Sequence, residues 1–163
     1  MVGWASCPAN KIVKKLKHIN LEGYAYFVTT NVYHRQKLFS NSKIADIVLA
    51  ALFFLREKGY YRLYSFVIMP EHLHLIILPQ NKKTVSQIMH SLKSYTAKKI
   101  NSLLGRDGKI WQDGFYERII RSENDLSEKA NYIENNPLRK KLVEESEKYF
   151  YSSAHNREKM DYF

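Results

Sequence analysis

The sequence has few of the residues on which several kinds of site depend. Its 163 residues include one cysteine, Cys7, so no internal disulfide can form and a metal site built on cysteines has too few ligands. Any metal must therefore bind histidine, carboxylate or amide groups. The sequence also has no glycine-rich phosphate loop, so nothing in it indicates a nucleotide cofactor.

Long hydrophobic runs are absent as well. The longest uninterrupted apolar run, Ile47 to Leu55, is nine residues, whereas a membrane-spanning helix needs roughly 20. The first residues, Met1 to Asn10, lack a charged leader followed by an apolar stretch, so they do not read as a secretory signal. We therefore expect a cytoplasmic protein without a membrane span.

Enough apolar material is present for one compact core. Hydrophobic residues make up 45% of the chain and charged residues 26%, which excludes a mainly disordered chain. The length fits one domain of about 100–200 residues. We predict a basic N-terminal arm at residues 1–20, a single domain at 21–155 and a C-terminal tail at 156–163.

The charge is strongly positive and clustered. The chain has 26 Lys and Arg against 16 Asp and Glu, a net charge of +10. Residues 82–121 hold nine of these basic residues and only three acidic ones. This excess favours a polyanionic partner, most simply nucleic acid, although a solvated lysine-rich surface is the alternative.

The hydrophobic pattern predicts four strands and three helices. β-Rich runs favour strands at 24–33, 62–69, 72–78 and 115–121. Helical spacing predicts helices from the polar cluster at 40–42 to Gly59, over 84–104 and over 123–135. The order strand, helix, strand, strand, helix, strand is that of a ferredoxin-like α+β domain, with helices packed on an antiparallel sheet and a C-terminal helix appended.

A histidine pair gives the sharpest local signal. Side chains two residues apart on a strand lie on the same face, so His72 and His74 could bind one ion. Leu73, Leu75 and Ile77 would then point to the opposite face, into the core. Taken alone, such a pair is more often incidental than functional.

A second signal lies on the last predicted helix. Tyr132 and Asn136 are four residues apart and so project from one side of consecutive turns, with Pro137 ending the helix just beyond. A phenol and an amide could therefore reach one site. The alternative is that Tyr132 packs on the core and Asn136 caps the helix.

Four ordered blocks carry a family resemblance: VIMPEHLHLIILP (67–79), SLKSYTAKKIN (91–101), WQDGFYERIIRS (111–122) and YIENNPLRKKLV (132–143). Over about residues 24–155 the chain resembles the single-tyrosine HUH transposases, in particular the REP-associated tyrosine transposase branch. The resemblance implies that His72 and His74 bind a divalent ion, Mg²⁺ or Mn²⁺. It also implies that Tyr132 is the nucleophile and that Asn136 completes the metal site.

The implied activity is a metal-dependent transfer of single-stranded or hairpin DNA through a 5′-phosphotyrosine. Insertion-sequence relatives are dimers and the REP-associated branch is regarded as monomeric, so both states stay open. The chain departs from the family pattern at Glu71, where asparagine is common, and at Glu117–Arg118. We expect neither departure to touch the ligands, and both to bear on substrate preference.

Basic side chains near these blocks are candidates for holding the DNA backbone: Lys93, Lys98, Lys99, Arg118 and Arg121. The rival hypothesis is a catalytically silent nucleic-acid-binding module with the same ferredoxin-like sheet. The glycine-aromatic strand motif of RNA-recognition domains is absent from the sequence. A relaxase is disfavoured by resemblance, because relaxases commonly place the tyrosine before the histidine pair.

Overall fold

The computed structural model describes residues 21–162, which form four strands and four α-helices. In chain order these are β1 (Tyr26–Asn31), α1 (Ser42–Glu57), β2 (Tyr61–Met69), β3 (His72–Pro79), α2 (Val85–Leu104), β4 (Tyr116–Ile119), α3 (Glu123–Glu134) and α4 (Asn136–Arg139). The sheet order is β2-β3-β1-β4, and every neighbouring pair is antiparallel. The predicted ferredoxin-like α+β fold is confirmed. The predicted N-terminal arm lies outside the described residues.

The helix starts follow from local capping. The Asn41 side chain accepts a hydrogen bond from the Lys43 amide at the start of α1, and the Ser122 hydroxyl accepts one from the Asp125 amide at the start of α3. At α2, Thr84 and Gln87 form a reciprocal capping box. Each cap satisfies amide groups that the first helical turn leaves without a partner, so polar residues fix where these helices begin.

The two faces of the sheet are packed differently. Helices α1 and α2 cover one face, and the predicted inward direction of Leu73, Leu75 and Ile77 is confirmed because all three lie in that core. Helix α3 covers part of the opposite face, where Ile133 packs in a second, smaller cluster with Phe27. This second face also carries the histidine pair, so α3 and the histidines share one side of the sheet.

The end of the last long helix differs from the prediction. Pro137 was expected to stop a helix that includes Asn136, but α3 ends at Glu134 and Asn135 is its C-cap. Pro137 instead lies in the first turn of α4, a position where its missing amide hydrogen costs nothing. Asn136 therefore starts a new helical turn.

The C-terminal residues cover the outer edge of β2. The Ile68 amide donates to the Tyr151 carbonyl, and the Ser153 amide donates to the Phe66 carbonyl. Further along, Arg56 and Asp161 form an ion pair of 2.7 Å. Although we expect residues 156–163 to be a tail, Asp161 forms this pair and Asn156 and Met160 are buried on the domain. None of the helices between residues 21 and 162 is long and apolar enough to cross a bilayer.

Candidate active site

The histidine pair lies on the face of β3 that α3 partly covers. His72 is opposite Asn31 and His74 is opposite Thr29 in the β1–β3 register. Both imidazoles are more than nine-tenths buried, and their ring centroids are 4.5 Å apart. The strand alternation thus places the two rings side by side, as the sequence predicts, close enough for both to contact one ion.

Each imidazole is held through its Nδ1 atom. The Thr29 hydroxyl and the Nδ1 atom of His74 share a hydrogen bond of 2.7 Å. The Nδ1 atom of His72 is 3.3 Å from a carboxylate oxygen of Glu71. Within residues 21–162 no partner engages either Nε2 atom, so these two nitrogens are the ones available to a metal. Partners that fix the second ring nitrogen are typical of metal-binding histidines.

The contact of Glu71 corrects one expectation. From the sequence we expect the departure at Glu71 not to touch the proposed ligands, yet its carboxylate contacts His72 directly. The same carboxylate oxygen also accepts a bond from the Arg35 guanidinium, at 3.4 Å. Glu71 therefore bears on the orientation of a proposed metal ligand.

Burial keeps both imidazoles neutral. Removal from water, together with the nearby His72 and Arg35, lowers the pKa of His74 to about 3. Burial also lowers the pKa of His72, although Glu71 opposes the shift. Only a neutral imidazole can bind a metal, so the protein environment supplies both rings in the required state.

Tyr132 lies beside the pair on α3. Its ring centroid is 5.5 Å from that of His74 and 6.2 Å from that of Phe27. The Arg139 guanidinium lies 5.1 Å from the centre of the tyrosine ring. Tyr132 is 37% exposed, whereas the next residue, Ile133, is fully buried. The helix is thus anchored by Ile133 and leaves Tyr132 accessible.

Asn136 is buried at the start of α4 and lines the same cavity as Tyr132. Its side-chain amide makes no hydrogen bond to any part of the chain that the structure describes. Because the residue lines the open cavity, its amide oxygen can meet an ion bound there. Two imidazoles and an amide oxygen fit a divalent ion whose remaining ligands are water or phosphate oxygens. Among the described residues no group of three His, Cys, Asp or Glu could hold a metal.

The cavity that these residues share has a volume of about 520 Å³. Besides the predicted residues it is lined by five that the sequence reasoning missed: Thr29, Asn31, Arg35, Arg139 and Lys140. Thr29 and Asn31 were visible as polar residues alternating on a strand. Arg139 and Lys140 were visible in the last of the four recognised blocks. Three of the five are basic, so the cavity suits an anion.

The predicted DNA-binding residues are not brought together at this cavity. Arg118 pairs with Phe27 across the β1–β4 ladder, which puts it on the face of the histidines, and it forms a 3.0 Å ion pair with Asp125. Arg121 is exposed just before α3. Both stay candidates for DNA contact.

The three lysines are on α2, which packs on the opposite face of the sheet. Lys93 donates to the carbonyl oxygens of Gln112 and Gly114, at 2.6 and 2.7 Å. Lys99 lies over the ring of Tyr95 and Lys98 is exposed. A role for these lysines stays a prediction, and DNA would have to reach around the sheet edge to meet both groups.

The chain belongs to the IS200-like transposase family, because the sequence model of that family matches residues 20–136. The match contains the histidine pair, Tyr132 and Asn136. Transposases are enzymes, so the family is one of DNA-processing enzymes.

Individual relatives narrow the similarity to REP-associated tyrosine transposases. A protein of Haemophilus influenzae named as a candidate member is 30% identical over 106 residues, 59% of this chain and 60% of that protein. The chain thus spans less than two thirds of that relative. The REP-associated tyrosine transposase of Escherichia coli K12 is 25% identical over 136 residues, 83% of this chain and 79% of that protein. The resemblance seen in the sequence is confirmed.

Solved structures agree on the fold. A REP-associated tyrosine transposase bound to a REP hairpin superposes with a TM-score of 0.70 at 23% identity, over 83% of this chain and 79% of that one. A candidate transposase from Deinococcus radiodurans has a TM-score of 0.51 at 19% identity, over 72% and 96% of the two chains. At these identities the likeness supports the fold.

Proposed function

We propose that this chain is a metal-dependent single-stranded DNA endonuclease and strand transferase that acts on hairpin-containing DNA through Tyr132. The observation that carries the proposal is the meeting of an exposed tyrosine with two buried neutral histidines and the Asn136 amide in one basic cavity. Family membership supports the reaction class. The hairpin bound by the structural relative supports the kind of substrate.

The chemistry exchanges one phosphodiester for another. The Tyr132 hydroxyl oxygen forms a bond to the scissile phosphorus while the bond from phosphorus to the 3′ oxygen breaks. The phenol gives up its proton and the departing 3′ oxygen gains one, so the products are a 5′-phosphotyrosine and a free 3′ hydroxyl. Because the phosphotyrosine retains the energy of the cleaved bond, attack by another 3′ hydroxyl reverses the step and joins a new strand.

The divalent ion fits the donor set formed by His72, His74 and Asn136. When bound there, Mg²⁺ or Mn²⁺ would supply charge stabilisation for the phosphate oxygens. The protein's own contribution is to hold the two imidazoles through Thr29 and Glu71, to keep them uncharged by burial and to place the tyrosine beside them.

Cleavage of DNA distinguishes the proposed enzyme from a catalytically silent DNA-binding module. Incubating the protein with labelled hairpin DNA that carries a single-stranded flank, in the presence of Mn²⁺, should give a shorter labelled strand and a protein-linked strand. An unstructured oligonucleotide of the same composition, used as the control, should be cleaved much less. Binding of the hairpin without cleavage under any divalent ion would favour the silent module.

A further inference from the structure

We infer that Arg139 and Lys140 form a phosphate clamp that contacts the scissile phosphate next to Tyr132. This inference rests on the proposed function and deepens it. It adds two residues of α4 and the turn after it to the groups that touch the reacting phosphate.

The charge of the cavity is the first argument. Arg35, Arg139 and Lys140 line it together with two neutral imidazoles, and no carboxylate from the described residues lines it. Arg35 is paired with Glu71, so the positive charge left without a partner is that of Arg139 and Lys140, which repel each other and a metal ion bound nearby. A bound anion would offset this repulsion, and the anion of the proposed reaction is a phosphodiester.

Only two of the three cations lack a partner among the described residues. Arg35 donates to the Asn31 side-chain oxygen and to Glu71. In contrast, the charged groups of Arg139 and Lys140 form no ion pair and no hydrogen bond with any residue from 21 to 162. Arg139 is engaged only through the ring of Tyr132. Both residues are exposed, so their side chains can contact a ligand.

Other basic residues close to α3 show the contrast. Arg118 is paired with Asp125, and Arg157 is paired with Glu134 at 3.1 Å. These cations are neutralised by protein carboxylates on the same helix. In contrast, the clamp residues form no such pair among the described residues, and they lie next to the proposed nucleophile.

Placement relative to the nucleophile is the third argument. The Arg139 guanidinium lies 5.1 Å from the centre of the Tyr132 ring, so a phosphate within bonding distance of the phenol oxygen is within reach of this side chain. The backbone fixes the clamp to the site, because the Arg139 amide donates to the Asn135 carbonyl and the Lys140 amide donates to the Asn136 carbonyl. One short helix and its C-cap residue thus carry a proposed metal ligand and both clamp residues.

The two side chains suit different parts of the task. A guanidinium presents a planar set of donors that matches two phosphate oxygens, whereas an ammonium acts as a compact point charge. We therefore expect Arg139 to orient the scissile phosphate and to matter most as charge develops on its oxygens. Lys140 adds attraction with less demand on geometry.

A double-mutant cycle on enzyme and substrate tests the clamp. Once the wild-type cleavage site is mapped, the rate of adduct formation is measured on that strand and on a strand with an uncharged methylphosphonate at the scissile position. We expect Arg139→Ala to slow the natural substrate about 100-fold and Lys140→Ala about 10-fold. Neither variant should add much to the loss that methylphosphonate causes by itself. Arg139→Lys should recover only part of the rate.

The control is Arg106→Ala, which removes an exposed arginine next to Gly105, the C-cap of α2. It should change the rates on both substrates by the same factor. The clamp is overturned if Arg139→Ala also slows both substrates equally, because the side chain would then act without contacting the scissile phosphate. Thermal unfolding of each variant separates these effects from loss of the fold.

Failure of the proposed function gives a different pattern. If the wild type forms no adduct on any hairpin strand, the proposed enzymatic function is wrong. The clamp is then tested by DNA binding alone. Fluorescence anisotropy should then still show weaker binding of a phosphodiester flank by both clamp variants, and equal binding of a methylphosphonate flank. Equal binding of both flanks by wild type and variants would overturn the clamp as well.

Discussion

The ring of Tyr132 lies with its centroid 5.5 Å from the ring of His74, although 58 positions of sequence separate them. Two packing features create this proximity. Ile133, next to the tyrosine, is fully buried against the sheet, and Thr29 holds His74 through its Nδ1 atom. The proposed nucleophile and the proposed metal ligand are therefore fixed by separate contacts on the same face of one sheet.

Metal binding should depend on the histidines more than on the amide. Imidazole nitrogens are the stronger donors for Mn²⁺ at this site, and a neutral amide oxygen contributes mainly geometry. We expect His74→Ala to abolish Mn²⁺ binding measured by calorimetry at pH 7.5. Asn136→Ala should bind more weakly than wild type, and Asn136→Asp, which supplies a charged oxygen, should bind at least as well. Binding by His74→Ala at the wild-type level would make the pair structural.

Glu71 should act as a positioning residue for the metal site. Its carboxylate contacts the Nδ1 atom of His72, and partners of this kind typically change metal affinity 10–100-fold. We expect Glu71→Ala to weaken Mn²⁺ binding by about 10-fold or more and Glu71→Gln to have a smaller effect. Glu145→Ala, which removes an exposed carboxylate paired with Lys148, is the control. Wild-type Mn²⁺ affinity in Glu71→Ala would show that the contact between Glu71 and His72 does not affect metal binding.

DNA binding should weaken steeply with salt because of the net charge of +10. Each phosphate contact on a single strand lowers the logarithm of the binding constant by about 0.7 per decade of salt. If the basic flank of α2 contacts DNA, then neutralising Lys98 and Lys99 together should flatten this slope by roughly 1.4. Neutralising Lys43 and Lys58 on and after α1 is the matched control. An unchanged slope would place the α2 flank in solvent.

Acid should destabilise the metal-free protein through His74. Its pKa is about 3 in the folded state and about 6.5 in an unfolded chain, so the unfolded state takes up the proton first as the pH falls. The free energy of unfolding should drop below pH 6.5 by up to about 1.4 kcal/mol per pH unit from this group. Urea unfolding at pH 6.5 and 5 should show a smaller drop for His74→Gln. An equal drop in the free energy of unfolding for wild type and His74→Gln would contradict the burial of an uncharged imidazole.

Sequence patterns could predict the elements of the fold and the placement of the two histidines side by side. The period of a strand puts His72 and His74 on one face, and capping residues mark where the helices begin. The contact of Glu71 with His72 could not be predicted this way, because adjacent strand residues point apart. Glu71 lies in the turn before β3, where that alternation does not hold.

Two further features needed the packed structure. Pro137 indicates a helix end in the sequence, so the sequence does not predict that the chain continues into α4. This continuation brings Arg139 over the Tyr132 ring. The lysines of α2 fall on a basic flank by helical periodicity, but periodicity does not tell which face of the sheet a helix covers. That depends on how the helices connect across the sheet, and α2 lies opposite the cavity.

The most direct test of the account asks which tyrosine becomes linked to DNA. Wild type, Tyr132→Phe and Tyr116→Phe are incubated with the labelled hairpin strand and Mn²⁺, and the covalent adduct is resolved by denaturing electrophoresis and mapped by mass spectrometry. Tyr116 is the matched control, since it is also exposed and also packs on Phe27. We expect Tyr132→Phe to bind the hairpin like wild type and to form no adduct, with Tyr116→Phe unaffected. An adduct that persists in Tyr132→Phe would contradict the assignment of the nucleophile.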